Sequence, residues 1–308
     1  MSVLENPITK TLAIRRVQSI ILHAAQEYFY RHGFEQLMPV ILSPITDPLG
    51  PDPGSSVIKT GEIEYLGQKL QLTQSMILHK QVAIGMGLEK FFIVSPNVRL
   101  ESPKRAASGV HLFEFSQIDF ELRDAKSEDV FVLLEDLFRY IRRRVEGEGS
   151  DALDALGREL PEWGRFPVYT IHEMIEKHGD DWEKAASMEH KTPFFVTCHK
   201  REFYDKRDRA VPGEHYLNYD LYYPEGFLEA LSGAEREHEY NRLVERLTAD
   251  GFSLESYKSY IELAKDGKLA PSAGGGFGVE RMVRYFTGAA HVGDIQPFRR
   301  VPGEEIKV

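Results

Sequence analysis

The stretch Asn97–Leu122, NVRLESPKRAASGVHLFEFSQIDFEL, sets an arginine, carboxylates, a histidine and aromatic rings at two-residue spacing. Val98 and Leu100 alternate with Asn97, Arg99 and Glu101. After a polar, glycine-bearing turn, His111, Phe113, Phe115, Gln117, Asp119 and Glu121 share one parity, while Leu112, Ile118, Phe120 and Leu122 share the other. Side chains alternate across a strand, so the pattern predicts an antiparallel hairpin with one apolar face. A half-solvated hairpin accounts for the carboxylates. It accounts less well for phenylalanines among them. Arg, His and an aromatic ring on one face suit a planar ligand that carries phosphates.

Three further stretches could carry chemistry. SAGGGFGVERMVRYFTG, residues 272–288, reads as a glycine-rich strand running into a helix. It is not a dinucleotide fingerprint, which needs a following βαβ unit and an acidic residue about 20 positions on. A strand with so little side chain lets another molecule approach its backbone. Arg281 falls in the first turn of the helix, against the helix dipole, and a bound anion would offset that cost. Asp220 and Glu229, on neighbouring predicted strands, are two carboxylates able to share a hard cation such as Mg2+; a salt-bridged surface hairpin is the competing reading. Glu229 and Arg236 lie seven apart, so a bulge at Ser232-Gly233 is expected to return them to one face. Lys80, in QLTQSMILHKQ, sits on a predicted helix. It is an ordinary solvated lysine unless that helix borders the same cleft.

The elements that must hold these residues follow from periodicity. Residues 11–32 predict an amphipathic helix closed by Gly33. Residues 43–56, SPITDPLGPDPGSS, are a proline-rich loop of the kind that serves as a lid. A helix is expected at 75–88, a strand at 90–95, a second long helix at 129–145 and a polar connection at 146–166. Residues 168–200 are less regular, and 218–237 read as strand, turn, strand. Helices and strands do not alternate βαβα, which predicts an α+β domain. The 308 residues, 42% hydrophobic, suffice for a sizeable core. The formal net charge of -10 offers no basic excess for nucleic acid. One cysteine, Cys198, excludes an internal disulfide and a cysteine zinc site. No apolar run is long enough to span a membrane and the N-terminus has no signal-peptide core, so a cytoplasmic protein without membrane partners is expected.

In this order, the stretches resemble the catalytic core of the class II aminoacyl-tRNA synthetases, in their aspartyl/asparaginyl branch. NVRLES is similar to the second motif of that class, GFGVER to its third, and Pro39 after GFEQLM to the proline of its first. QSMILHKQ and LEALSGAER resemble two further segments of the branch. The resemblance implies an antiparallel sheet flanked by helices, a homodimer, and an ATP and Mg2+ site. Arg99 would hold the α-phosphate; His111 and Arg281 the outer phosphates. Phe115 would stack on adenine, with Glu101 assisting, and Asp220 and Glu229 would carry Mg2+. Lys80 and Arg236 would hold a substrate carboxylate, with Ser75, Gln117, Asp119 and Ser232 around the amino acid and the loop of Asp47 and Asp52 closing over it.

The departures from the branch carry the finer expectation. An anticodon-binding barrel needs five strands, and only about ten residues precede the first helix, so one catalytic domain spanning 1–308 without that barrel is expected. Ser272 stands in place of a histidine, Ile77 in place of a glutamine and Leu228 in place of a glycine. These features resemble the archaeal-type asparagine synthetases, relatives of the same core, which implies aspartate, ATP and ammonia as partners and no tRNA. A ligase using another amine, or a silent amino-acid-binding relative, are the alternatives.

Overall fold

The computed structural model describes residues 7–47, 57–211 and 215–307. The chain opens with α1 (Pro7–Arg31), β1 (Glu35–Leu37) and β2 (Leu42–Ser43), then β3 (Val57–Lys59), β4 (Glu62–Tyr65), β5 (Gln68–Leu72) and α2 (Ile77–Gly85). The hairpin follows as β6 (Lys90–Val98), β7 (Leu100–Glu101) and β8 (Glu114–Arg123). After it come α3 (Ser127–Glu148), α4 (Ser150–Leu156), β9 (Val168–Thr170), α5 (Ile171–His178), α6 (Trp182–Glu189) and β10 (Phe194–Thr197). The C-terminal part is β11 (Asn218–Tyr223), β12 (Leu228–Glu235), α7 (Tyr240–Ala249), α8 (Lys258–Lys265), β13 (Ser272–Gly278) and α9 (Val279–Thr287).

Eight strands form one sheet in the order β1-β6-β8-β13-β12-β11-β10-β9. The six central strands are antiparallel, and β1 and β9 add parallel edges. This is the α+β arrangement expected, as a mixed rather than purely antiparallel sheet. One face buries Ile118, Phe120, Tyr219, Leu221, Leu231 and Phe277 in the main core with α1, α3 and α9. The helices present apolar stripes to it: Val17, Ile21, Ala24 and Tyr28 in α1, and Val130, Leu134, Leu137, Ile141 and Val145 in α3. On the opposite face α2 and the loops after β10 and β12 frame a cleft.

Local readings needed adjustment. β8 begins at Glu114, so the alternation does not reach back to Phe113. Phe113 spends its backbone on Arg99 and Arg300, and Leu112 rather than Phe113 borders the cleft. The bulge in β12 falls at Ala230, between the pairs Leu221↔Leu231 and Tyr222↔Glu229, not at Ser232-Gly233. It still puts Glu229, Ser232 and Arg236 on one side. The irregular stretch 168–200 folds into β9, α5, α6 and β10.

The glycines of β13 have a steric reason. A Cβ at Gly274 would collide with the Phe120 carbonyl and the Glu121 carboxylate, and one at Gly276 would come within 2.5 Å of Asp119 Oδ1. The close approach to this strand is thus made by the chain's own carboxylates on β8. Gly274→Ala forces the neighbouring strand to move. It is expected to cost ~1–3 kcal/mol, read as a lower urea midpoint at unchanged slope. A midpoint equal to wild type would show that the packing is looser than described.

Candidate active site

The cleft is a cavity of about 640 Å3 whose lining includes Arg99, His111, Phe115, Lys80, Asp220, Glu229, Arg236 and Arg281. Residues from β6 through α9 meet there because the central strands all turn one face to it. Of the expected site residues, Asp52 lies outside the described residues. The others line the cavity: Asp47, Ser75, Lys80, Arg99, Glu101, His111, Phe115, Gln117, Asp119, Asp220, Glu229, Ser232, Arg236 and Arg281.

At one end Arg99, Arg105, His111 and Arg281 line the cavity together. Arg99 donates from Nε to the Gln74 carbonyl at 3.0 Å, and its guanidinium lies over the Phe115 ring, 5.1 Å from the centroid. Arg281 anchors on the Val110 carbonyl at 3.3 Å and pairs with Glu229 at 3.0 Å. Burial and then the charges of Arg281, Arg105 and Arg99 push the His111 pKa down to about 3. His111 Nδ1 is 2.6 Å from Ser108 Oγ. The helix carrying Arg281 is locked by Glu280, whose carboxylate accepts the Ser116 N–H at 3.0 Å, and whose pKa burial raises to about 7.

Across from the arginines stand Asp220 and Glu229. They do not face each other as a free pair: Asp220 is bound by Arg201 Nη1 at 2.5 Å and lies 3.4 Å from His199 Nε2, and Glu229 is held by Arg281. Burial opposes the charge on Asp220, but Arg201 and His199 outweigh it and hold the pKa below the ordinary carboxylate value. Among the described residues no group of three or more His, Cys, Asp or Glu is gathered to ligate a metal. Mg2+ commonly takes only one or two carboxylates and completes its shell with water and phosphate oxygens. Asp220 and Glu229, two carboxylates in one cavity with Arg99, Arg105 and Arg281, fit that donor set.

The far end is a buried ion network. Lys80, 2% exposed, donates to the Gly275 carbonyl at 2.9 Å and lies 3.3 Å from Asp119 and 3.5 Å from Glu121. Arg236 forks onto Glu121 at 3.0 and 3.4 Å and donates to the Gly274 carbonyl at 2.9 Å. A solvated helix lysine is therefore ruled out. Both cations already have carboxylate partners within the protein, Lys80 in Asp119 and Glu121 and Arg236 in Glu121. Asp119 also accepts from Ser95 at 2.6 Å, Gln117 from Asn97 at 2.9 Å, and Ser232 from Arg201 at 2.7 Å. Ser75 Oγ accepts the Ile77 N–H at 3.3 Å, at the start of α2. Asp47 is buried, with its carboxylate on the Tyr204 hydroxyl at 2.9 Å and its carbonyl on Gln74.

Sequence reasoning missed Arg105, Glu183, His199, Arg201, Tyr204 and Asp205, all of which line the cavity. Most come from HKREFYDKRDR, a charged run that reads as a solvated loop. Its signal was the two aromatics, Phe203 and Tyr204, which are buried and pin the run onto α7 and α8.

The His111 environment gives a pH test. Its folded pKa of about 3 lies below the ordinary 6.5, so below pH 6.5 the unfolded chain takes up a proton that the folded chain refuses. The stability tied to the neutral ring is complete above that value and drains as pH falls towards 3. His111→Gln should therefore lose less urea resistance than wild type between about pH 7 and about pH 5. Identical losses in the two proteins would contradict the assignment.

Comparison with known proteins agrees with the architecture. The family model for tRNA synthetases class II (D, K and N) matches residues 4–302. An asparagine–tRNA ligase of Pyrococcus abyssi is 30% identical over 95% of this chain and 69% of its own. An aspartate–tRNA(Asp/Asn) ligase of Methanopyrus kandleri is 30% identical over 94% and 67%. The asparaginyl-tRNA synthetase of Pyrococcus horikoshii, solved with asparaginyl-adenylate, superposes with a TM-score of 0.85 at 28% identity, covering 97% of this chain and 70% of that one. These names overturn one expectation. A chain with no tRNA partner was expected, and its relatives over nearly the whole length are named as tRNA ligases. Among the described residues no helix is long and apolar enough to cross a membrane. With the match running from residue 4 to residue 302, the chain belongs to the class II tRNA synthetases of the D, K and N branch and is a ligase of that family.

Proposed function

We propose that this chain activates aspartate with ATP as aspartyl-adenylate and passes the aspartyl group to ammonia, giving asparagine, AMP and pyrophosphate. The observation that carries the adenylation step is the gathering of Arg99, Arg105, His111 and Arg281 on the lining of one cavity, with Arg99 over the Phe115 ring. Phosphoryl chemistry needs positioned positive charge where negative charge develops. A carboxylate oxygen of aspartate attacks the α-phosphorus, the bond to the β-phosphate breaks, and its electron pair leaves with pyrophosphate. Arg99 stabilises the α-phosphate, and His111 and Arg281 the departing phosphates. Asp220 and Glu229 would hold Mg2+, which would neutralise phosphate charge. Lys80 and Arg236 receive a substrate carboxylate, while Asp119, Gln117, Ser232 and Ser75 surround the rest of the amino acid. Because Lys80 and Arg236 are already balanced by Asp119 and Glu121, the ligand must bring a cation with its anions. Aspartate does so through its ammonium group. Ammonia then attacks the acyl carbon, and AMP leaves.

A second reading, transfer of the acyl group to tRNA, is supported by the names of the relatives. Mass spectrometry of reactions with aspartate, ATP and Mg2+, containing either ammonium or tRNA, separates the two. Asparagine with AMP is expected in the first tube. Acyl-tRNA with no asparagine would transfer the conclusion to the second reading, and no AMP in either tube would end the adenylation claim. Arg99→Ala should lower turnover roughly 100- to 1000-fold with aspartate binding little changed. Near-normal turnover would mean the phosphate site is misassigned.

The proposal extends to assembly as a homodimer. Met38, Ile41 and Leu42, flanking Pro39, are 85%, 54% and 39% exposed, a patch a second copy would cover. Sedimentation at micromolar concentration should show a dimer; only the 35.2 kDa species would contradict it.

A further inference from the structure

The connection that follows α4 takes no part in the site described so far, yet one of its residues grips the turn that delivers Glu229. The β11–β12 turn is conformationally costly. Glu225, Gly226 and Leu228 have φ of 61°, 79° and 66°. Glycine enters that region freely, but in glutamate and leucine the Cβ crowds the following carbonyl. Leu228 is also the position where the family resemblance leads one to expect glycine. Such strain persists only where the surroundings over-determine it.

Three sets of contacts do so here. Arg158 forks onto the Glu225 carboxylate at 3.0 and 2.8 Å, with its side chain 11% exposed. Its guanidinium lies 5.5 Å from the Phe227 ring centroid and 5.2 Å from that of Tyr285 in α9. Arg284, also from α9, donates to the Phe227 carbonyl at 3.2 Å. Ser187 of α6, fully buried, donates to the Tyr223 carbonyl at 2.6 Å and accepts the Leu228 N–H at 3.2 Å, while its carbonyl takes the Gly226 N–H at 3.2 Å. The next residue is Glu229, whose carboxylate and carbonyl both meet Arg281, at 3.0 and 3.3 Å.

The geometry points to Arg158 as a positioning residue for the nucleotide: it holds the turn in its left-handed conformation and so aims Glu229 into the cavity beside Arg281. This rests on the reading of Glu229 and Arg281 as the Mg2+·ATP end of the site. It also gives the connection after α4 a task. An arginine is required because only a planar fork can bind the Glu225 carboxylate twice while stacking on two rings.

The test is calorimetric titration of Mg2+·ATP, with urea midpoints measured on every variant. Arg158→Ala should weaken Mg2+·ATP binding about 10-fold, the scale seen when a residue orienting a ligand-bearing group is lost. Arg158→Lys should show a smaller loss, because charge remains but the fork does not. Adding Glu225→Gly to Arg158→Ala should recover most of the affinity, since glycine at the clamped position keeps the left-handed turn without a clamp. A general loss of structure would not be rescued in this way. Unchanged affinity in Arg158→Ala, or no recovery in the double variant, overturns the inference. The functional reading fails separately: wild type would bind Mg2+·ATP but show no aspartate-dependent pyrophosphate exchange. No Mg2+·ATP binding by wild type would overturn both.

Discussion

Lys80 carries its charge at 2% exposure, and the floor of the cleft is organised around that fact. An ammonium removed from water is tolerated only with close counter-charge and filled hydrogen bonds. Asp119 and Glu121 supply the charge, and the Phe120 and Gly275 carbonyls fill two of its three N–H positions. Glu121 in turn carries Arg236, and Arg236 lies 3.7 Å from Asp205. Five buried charges of alternating sign thus tie α2, β8, β12 and the loop after β10 together. The glycine-rich strand β13 lies across them and gives up its side chains to make room. Leaving one member of such a network unpaired typically costs ~3–5 kcal/mol, so the register of β8 against β13 and β12 is fixed from this side of the sheet as firmly as from the apolar side.

The same sheet face changes character along its length. At the Lys80 end both cations are already paired with carboxylates of the protein. At the Arg281 end Arg99, Arg105 and Arg281 line the cavity around His111, whose pKa burial and then these charges push down. The reacting atoms of an amino-acid carboxylate and an α-phosphate would meet between the two. Catalysis on such a floor is positioning and electrostatics, with no covalent nucleophile needed.

Much of this was legible in the residues alone. The alternation in FEFSQIDFEL placed Phe115, Gln117, Asp119 and Glu121 on one face, and strand geometry carried that reading through unchanged. The order of the motifs gave the fold. What sequence did not show were facts set by tertiary contact. HKREFYDKRDR has the composition of a solvated loop, yet Arg201 ends on Asp220 and Ser232. Phe113 keeps the right parity but falls before β8 begins. The bulge moved to Ala230, because Gly233 is needed flat against Tyr219 and the Gly274 carbonyl. Lys80 was readable as a site residue but its partners were not, since Asp119 and Glu121 were themselves assigned by parity and not by distance.

The central claim is that a carboxylate oxygen of aspartate attacks the α-phosphorus of ATP. Aspartate labelled with 18O in its carboxylates tests this directly, with the nucleotide products resolved by mass spectrometry. Attack at the α-phosphorus followed by acyl transfer leaves one labelled oxygen on AMP, and that is the result predicted. Unlabelled AMP, or ADP accompanied by labelled inorganic phosphate, would contradict it, because the label would then show that the oxygen never reached the α-phosphorus held by Arg99.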